Sequence, residues 1–194
     1  MIPRVVQITG LPEAELFGRI ARGGADLAVQ LRSPELSTRA LYALGRELRT
    51  RTRAVGARLI VNDRLDLALL LEADGIHLGR RSIDAREARR VLGPTVFISR
   101  SVHDLHELDR ARSEGADAAM VSPIFASPEK AEPLGLEAIA AMRRLAPELP
   151  LVALGGVTLE QAPRCFSAGA AAVASIRHDL TPIAAALSRA RPAL

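Results

Sequence analysis

Side chains able to do chemistry recur directly after short aliphatic runs. Gln30-Leu31-Arg32 closes one run, Asn62-Asp63-Arg64 a second, and His77-Leu78-Gly79-Arg80-Arg81-Ser82 a third. Ser99-Arg100-Ser101-Val102-His103 closes a fourth, Ser122 through Lys130 follows a fifth, and Gly155-Gly156-Val157-Thr158 and Ile176-Arg177-His178 complete the set. A glycine pair ahead of a helical segment, joined by the amides near Ile176 and Arg177, is a candidate phosphate cradle. Backbone N–H groups can approach an anion closely there, and a helix N-terminus favours negative charge. The same pair also fits a simple turn. Arg32 can grip a carboxylate or phosphate bidentately, or it can pair with Asp63. Lys130 is either a phosphate partner or a solvated loop lysine. Asp63 is a candidate Mg²⁺ carboxylate, since that ion takes one or two carboxylates plus substrate phosphates; no second acid closes a neighbouring run. His77 and His103 are candidate acid/base groups, since the ordinary pKa of an imidazole suits proton transfer. His77 equally fits a satisfied interior position, and His103 a helix start. No Ser-His-Asp set, zinc spacing or P-loop is present.

The elements that must position these residues alternate strictly. Strand patterns cover Val5–Thr9, Ala28–Arg32, Leu59–Val61, Gly75–Leu78, Val96–Ser99, Ala118–Val121, Leu151–Leu154 and Ala171–Ile176. Helical periodicity fills the intervals at Glu13–Arg22, Ser37–Arg53, Leu65–Glu72, Asp84–Val91, Asp104–Ser113, Leu136–Leu145, Leu159–Ser167 and Thr181–Arg189. Eight strand–helix units in 194 residues predict an α/β chain, a compact (β/α)8 TIM barrel forming a single domain over 1–194. An open doubly wound sheet is the alternative. In a barrel of this kind ligands bind at the carboxyl ends of the strands, where the polar residues collect.

Composition narrows the partners. The 26 basic residues outnumber 22 acidic ones, for a net charge of +4, yet all but Lys130 are arginines spread along the chain. With one Tyr, no Trp and 3% aromatics, there is no stacking surface for bases, so nucleic acid is not an expected partner. The lone Cys165 excludes an internal disulfide and a multi-cysteine metal site. No apolar run reaches the roughly 18 to 20 residues of a membrane span. A cytoplasmic protein with no membrane partner is expected, and homo-oligomerisation stays open.

At the strand ends the chain resembles the thiamine phosphate synthase and TenI superfamily. Gln30-Leu31-Arg32 matches its Gln-x-Arg, Asn62-Asp63-Arg64-Leu65-Asp66-Leu67-Ala68 its Asn-Asp-Arg-x-Asp-x-Ala, and Asp74–Gly79 its Asp-Gly-Val-His-Leu-Gly. Ser122–Lys130 follows Gly-Pro-Val-Phe-x-Thr-x-Thr-Lys, and Leu154–Val157 follows Ile-Gly-Gly-Ile. In a synthase the resemblance implies coupling of a pyrimidine-methyl pyrophosphate to a thiazole phosphate with Mg²⁺. Gln30, Arg32, Asn62, Asp63, Ser101 and Lys130 would surround pyrophosphate and pyrimidine. Ser127, Gly155, Gly156 and the amides near Ile176 and Arg177 would hold the thiazole phosphate. Three positions depart from the synthase pattern: Pro34 replaces a lysine, Ser82 a second Mg²⁺-binding aspartate, and Glu129 a threonine. Ser99–His103 resembles the Gly-Arg-Ser-Val-His segment of TenI proteins, some of which are thiazole tautomerases, although Pro123 stands where their histidine belongs. The expectation is TenI-like chemistry on a thiazole phosphate or thiamine phosphate bound at the barrel's carboxyl face, with His103 or His178 as acid/base group. A functional synthase and a non-catalytic ligand-binding regulator are the alternatives.

Overall fold

Eight parallel strands pair in chain order, and the last returns to the first. They are β1 (Val5–Ile8), β2 (Leu27–Leu31), β3 (Arg58–Asn62), β4 (Gly75–Leu78), β5 (Phe97–Val102), β6 (Ala118–Val121), β7 (Leu151–Leu154) and β8 (Ala172–Ser175). This computed structural model describes residues 2–126 and 132–190. Pairing of Val5 with Val173 and Gln7 with Ser175 closes the ring, so the open-sheet alternative does not apply. Each strand leads to a helix: α1 (Glu13–Gly23), α2 (Thr38–Ala54), α3 (Leu65–Leu70), α4 (Ala85–Leu92), α5 (Leu105–Ser113), α6 (Gly135–Leu145), α7 (Ala162–Ser167) and α8 (Thr181–Ala190).

Two apolar layers follow from the period-2 alternation of the strands. Val29, Leu31, Leu59, Val61, Ile76, Leu78 and Ile98 face outward and are buried against Leu16, Leu41, Leu48 and Leu67 of the helices. Burial of each such side chain stabilises by about 1.5–3 kcal/mol relative to exposure. Val6, Ile8, Ala28, Ile60, Ala118, Met120, Val152, Ala172 and Ala174 fill the barrel interior. Parallel strands covered on both faces need continuous apolar runs, and this is why the runs read so clearly in the sequence.

Helix starts are fixed by local caps. Ser37 accepts from the Ala40 amide at 3.3 Å, Asp84 from the Arg86 amide at 2.6 Å, and Asp104 from the Glu107 amide at 2.7 Å. The largest departure from expectation is β5, which continues through polar residues to Val102. Ser101 therefore lies on a strand rather than in a loop. The segment expected as a helix from Leu159 begins as a tight turn, in which Thr158 and Gln161 cap one another, and becomes helical at Ala162.

Candidate active site at the carboxyl ends of the strands

The upper end of the barrel is polar on one side only. Ala28, Ile60 and Ala118 point inward, so the residues two and four positions on also do: Gln30 and Arg32, Asn62, and Ser122. Register adds His77 opposite Asn62 and Ser99 opposite His77, with Ser101 one pleat further up. Across the mouth Ile8, Leu154 and Ile176 occupy the corresponding positions. A polar wall from β2 to β6 thus faces an apolar wall from β7, β8 and β1.

Thr9 sets the first part of that wall. Its hydroxyl accepts from the Arg32 amide at 2.7 Å and donates to the Arg32 carbonyl at 2.5 Å, extending the β1–β2 pairing past the strand ends. The Arg32 guanidinium is left exposed, with no hydrogen bond or ion pair to any described residue. Gln30, 1% exposed, has an Nε2 group without a partner among the described residues. A buried amide donor left unpaired costs about 1–3 kcal/mol, so this group is primed to bond something entering the mouth.

Asp63 sits at φ 59°, a left-handed conformation that Asp and Asn tolerate better than other residues. Its amide donates to the His77 carbonyl at 2.9 Å, which turns the chain over the β3–β4 edge. The carboxylate then meets three donors: the Gly79 amide at 2.9 Å, the Asn62 side-chain amide at 2.8 Å and the Ser82 hydroxyl. The expected alternative of an Arg32–Asp63 ion pair is not formed. Ser82 touches Asp63, so the position expected to carry a second acid is beside the first. Asp84 does not supply that acid, because its carboxylate caps α4. A hard oxygen set of one carboxylate and one hydroxyl, open to solvent, fits Mg²⁺ only where substrate phosphates complete the shell. Among the described residues no group of three or more His, Cys, Asp or Glu side chains could hold a metal by itself.

His77 is 5% exposed and is held from both sides. Nδ1 lies 2.9 Å from Ser99 Oγ and Nε2 lies 3.0 Å from Ser101 Oγ. Burial pushes its pKa down to about 4; the Asp63 charge opposes this shift, while Arg100 and Arg32 reinforce it. The ring is therefore neutral at neutral pH. His103 belongs to a different cluster. Its ring Nδ1 and its amide are both 2.8 Å from Glu107 Oε2, and Glu107 Oε1 takes Arg80 at 2.7 Å. That arrangement ties the loop after β4 to the start of α5.

Gly155 and Gly156 have φ of 97° and 64° and lie against the loop after β6. A Cβ at Gly155 would stand 2.7 Å from Pro123 Cα, and one at Gly156 would stand 2.6 Å from the Ala126 carbonyl oxygen. The same loop is stitched to β7 by the Ile124 and Phe125 amides, which donate to Leu154 and Gly155 at 2.9 Å. The glycine pair is thus a packing requirement as well as a candidate cradle. The facing loop after β8 is held from below by buried Arg19, which donates to Gln7 at 2.8 Å and to the Arg177 carbonyl at 2.9 Å. The α8 terminus is capped by Asp179 through Thr181.

Gln30, Asn62, Ser101 and Ile176 therefore line one mouth, with Arg32, Asp63, Gly155, Gly156 and Arg177 on its rim. His103 is committed to Glu107. Ser127 and Lys130 lie outside the described residues, as does Glu129. Sequence reasoning missed Thr9, Gln7 and Arg19, which carry no motif of their own. It also missed the outward Arg100, which is 4% exposed in its side chain and pairs at 3.0 Å with equally buried Glu114. Arg100 donates to the Ile83 carbonyl at 2.7 Å and Glu114 accepts from the Ala85 amide at 3.0 Å, which fixes the segment just after Ser82. The alternation of Ser99-Arg100-Ser101 was the available signal.

Comparison with known proteins agrees with this geometry. The family described as thiamine monophosphate synthase matches residues 7–178. Thiamine-phosphate synthase of Moorella thermoacetica is 41% identical over 187 residues, covering 94% of this chain and 88% of that one. Thiamine-phosphate synthase of Methanoculleus marisnigri is 41% identical over 170 residues, covering 86% and 80%. Among solved structures, thiamine phosphate pyrophosphorylase from Pyrococcus furiosus superposes with a TM-score of 0.83 at 30% identity, covering 96% of this chain and 94% of that one. No helix among the described residues is long and apolar enough to cross a membrane. On its sequence, its closed barrel and the residues at its mouth, the chain belongs to the thiamine monophosphate synthase family.

Proposed function

We propose that the protein is a thiamine phosphate synthase, joining a pyrimidine-methyl pyrophosphate to a thiazole phosphate and releasing pyrophosphate. The observation that carries this reading is the one-sided mouth, where Arg32 and Gln30 Nε2, both unpaired among the described residues, share one wall with the Asp63 carboxylate. In the reaction the carbon–oxygen bond to pyrophosphate breaks and a bond to the thiazole nitrogen forms. Arg32 stabilises the negative charge that develops on the leaving group. Gln30 and Asn62 orient the pyrimidine, and Leu154 and Ile176 offer the thiazole an apolar surface. The Gly156 and Arg177 amides take its phosphate together with Ser127, and Lys130 joins Arg32 on the pyrophosphate. Mg²⁺ held at Asp63 and the pyrophosphate oxygens would neutralise part of the charge on the leaving group. TenI-like tautomerisation has less support. Both His77 nitrogens are occupied, His103 is bound to Glu107, and Pro123 stands at the position where the reaction's histidine is expected.

The test is direct. Purified protein given both substrates and Mg²⁺ is expected to form thiamine phosphate and pyrophosphate, and Asp63→Asn to lower turnover by about 10–100-fold. Absence of product above background overturns the synthase reading. Conversion of the non-aromatic thiazole carboxylate phosphate faster than in buffer would instead favour the TenI-like reading, and calorimetric binding of thiazole phosphate without turnover the regulator.

A further inference from the structure

We infer that Ser99, His77 and Ser101 form an oriented hydrogen-bond relay that fixes the Ser101 hydroxyl as a donor into the mouth, which makes Ser99 and His77 positioning residues for an anionic ligand group. The inference rests on the proposed function only in naming pyrophosphate as that group. A neutral imidazole has one N–H and one bare nitrogen, and each serine hydroxyl has one proton to give. With both ring nitrogens 2.9–3.0 Å from a serine oxygen, two arrangements exist. Either Nδ1–H donates to Ser99 and Ser101 donates to Nε2, or Ser99 donates to Nδ1 and Nε2–H donates to Ser101.

Burial chooses between them. Ser99 is 2% exposed, and His77 Nδ1 is the partner of its hydroxyl among the described residues. If Nδ1 carried the proton, the Ser99 O–H would be a buried donor with nothing to receive it, which costs about 1–3 kcal/mol. Placing the proton on Nε2 satisfies both groups. Ser101 Oγ then accepts from Nε2–H, and its own proton is free. Ser101 is half-buried one pleat nearer the mouth than Ser99, on the wall that also carries Asn62 and Arg32. A free hydroxyl proton there suits phosphate oxygens. The opposite tautomer would turn the Ser101 proton inward and present only lone pairs to an anion. A doubly protonated ring would leave the buried Ser99 proton equally without an acceptor, so the same burial selects the neutral imidazole.

Two measurements test this. In ¹⁵N-histidine-labelled protein, two-bond proton–nitrogen correlation spectra report the tautomer of each ring, and His77 is identified by the signals lost in His77→Gln. The expected result is the Nε2–H tautomer, unchanged between about pH 6 and 8; an Nδ1–H tautomer overturns the inference. Calorimetry with Mg²⁺ and inorganic pyrophosphate then compares the parent with Ser99→Ala, a residue that does not reach the mouth. Ser99→Ala is expected to lose the tautomer preference and to bind pyrophosphate about tenfold more weakly, since a tenfold change corresponds to one modest hydrogen bond. Parent-like affinity in a folded Ser99→Ala overturns the role assigned to the relay. Should that variant not fold, the tautomer of the parent still decides. A parent with the Nε2–H tautomer that fails to bind pyrophosphate overturns the functional reading and leaves the relay's geometry standing.

Discussion

Gly156→Ala separates the two demands on the glycine pair. Alanine at φ 64° incurs the left-handed penalty of roughly 1–2 kcal/mol. Its Cβ would also stand 2.6 Å from the Ala126 carbonyl oxygen, 2.9 Å from Phe125 Cβ and 3.1 Å from the Phe125 carbonyl carbon. These neighbours are backbone atoms or are attached directly to backbone, so no rotamer change relieves them. The loop after β6 must move, and overpacking of this kind costs about 1–3 kcal/mol. The combined expectation is about 2–5 kcal/mol. At about 2–4 °C per kcal/mol for a chain of this size, the melting temperature falls by about 4–20 °C.

Gly115→Ala is the control. That residue has φ 77° and nothing within 4 Å of an added Cβ. It therefore carries the conformational penalty without the contact, and both variants share the same gain from a less flexible unfolded chain. Thermal melts followed by circular dichroism should place Gly156→Ala well below Gly115→Ala, and binding of thiazole phosphate should weaken in Gly156→Ala alone. Equal melting temperatures would refute the packing argument. Equal affinities would refute the idea that this loop contact shapes the phosphate site.

Glu114→Ala leaves Arg100 buried without its partner and removes the acceptor of the Ala85 amide, so urea denaturation should show a loss of about 3–5 kcal/mol. Arg100→Met combined with Glu114→Leu should recover most of it. His77 binds its proton at about pH 4 folded and near 6.5 unfolded, so between these values the unfolded chain holds more protons. The stabilisation from this group is full above about pH 6.5 and declines toward pH 4, by on the order of 3 kcal/mol. Asp66, Glu72 and Asp179 have pKa values lowered from 3.8 or 4.5 and lose their contributions only in stronger acid. The difference in urea midpoints between the parent and His77→Gln across pH 6.5 to 5 therefore isolates His77, and a slope unchanged in His77→Gln would contradict the assignment. Ser82→Asp would set a second carboxylate against Asp63; Mn²⁺ binding by electron paramagnetic resonance should tighten about tenfold, and unchanged binding would refute the placement of this pair.

The barrel was readable because its strands are buried on both faces. Gly75–Leu78, Ala118–Val121 and Leu151–Leu154 have the same bounds in the sequence pattern and in the structure. Strand β5 was read short for the opposite reason. Its upper half puts two serines into the polar end of the barrel and an arginine into a buried ion pair, so hydrophobicity loses the strand where its alternation persists. The mouth residues were legible because they recur at strand ends. Their supports were not, since Thr9, Arg19 and Glu114 reach partners as far as 23, 158 and 29 positions away.

The division of the mouth explains why the supports lie where they do. On the proposed synthase reading, one highly charged and one flatter, more apolar substrate lie side by side, and a closed ring gives each its own arc. On the polar arc, Arg32 and Gln30 Nε2 stay unpaired among the described residues, which removes stabilising bonds from the segment that carries them. Rigidity has to come from the outer face. There the Arg100–Glu114 pair anchors the loop of Ser82, Glu107 joins His103 to Arg80, and Arg19 holds the loop of Arg177. Each tie bonds a backbone group of a rim loop or joins two such loops, and Arg32 and Gln30 Nε2 remain without partners among the described residues. Loss of an outer tie should therefore loosen substrate binding before it abolishes folding, because the strands beneath keep their own apolar contacts.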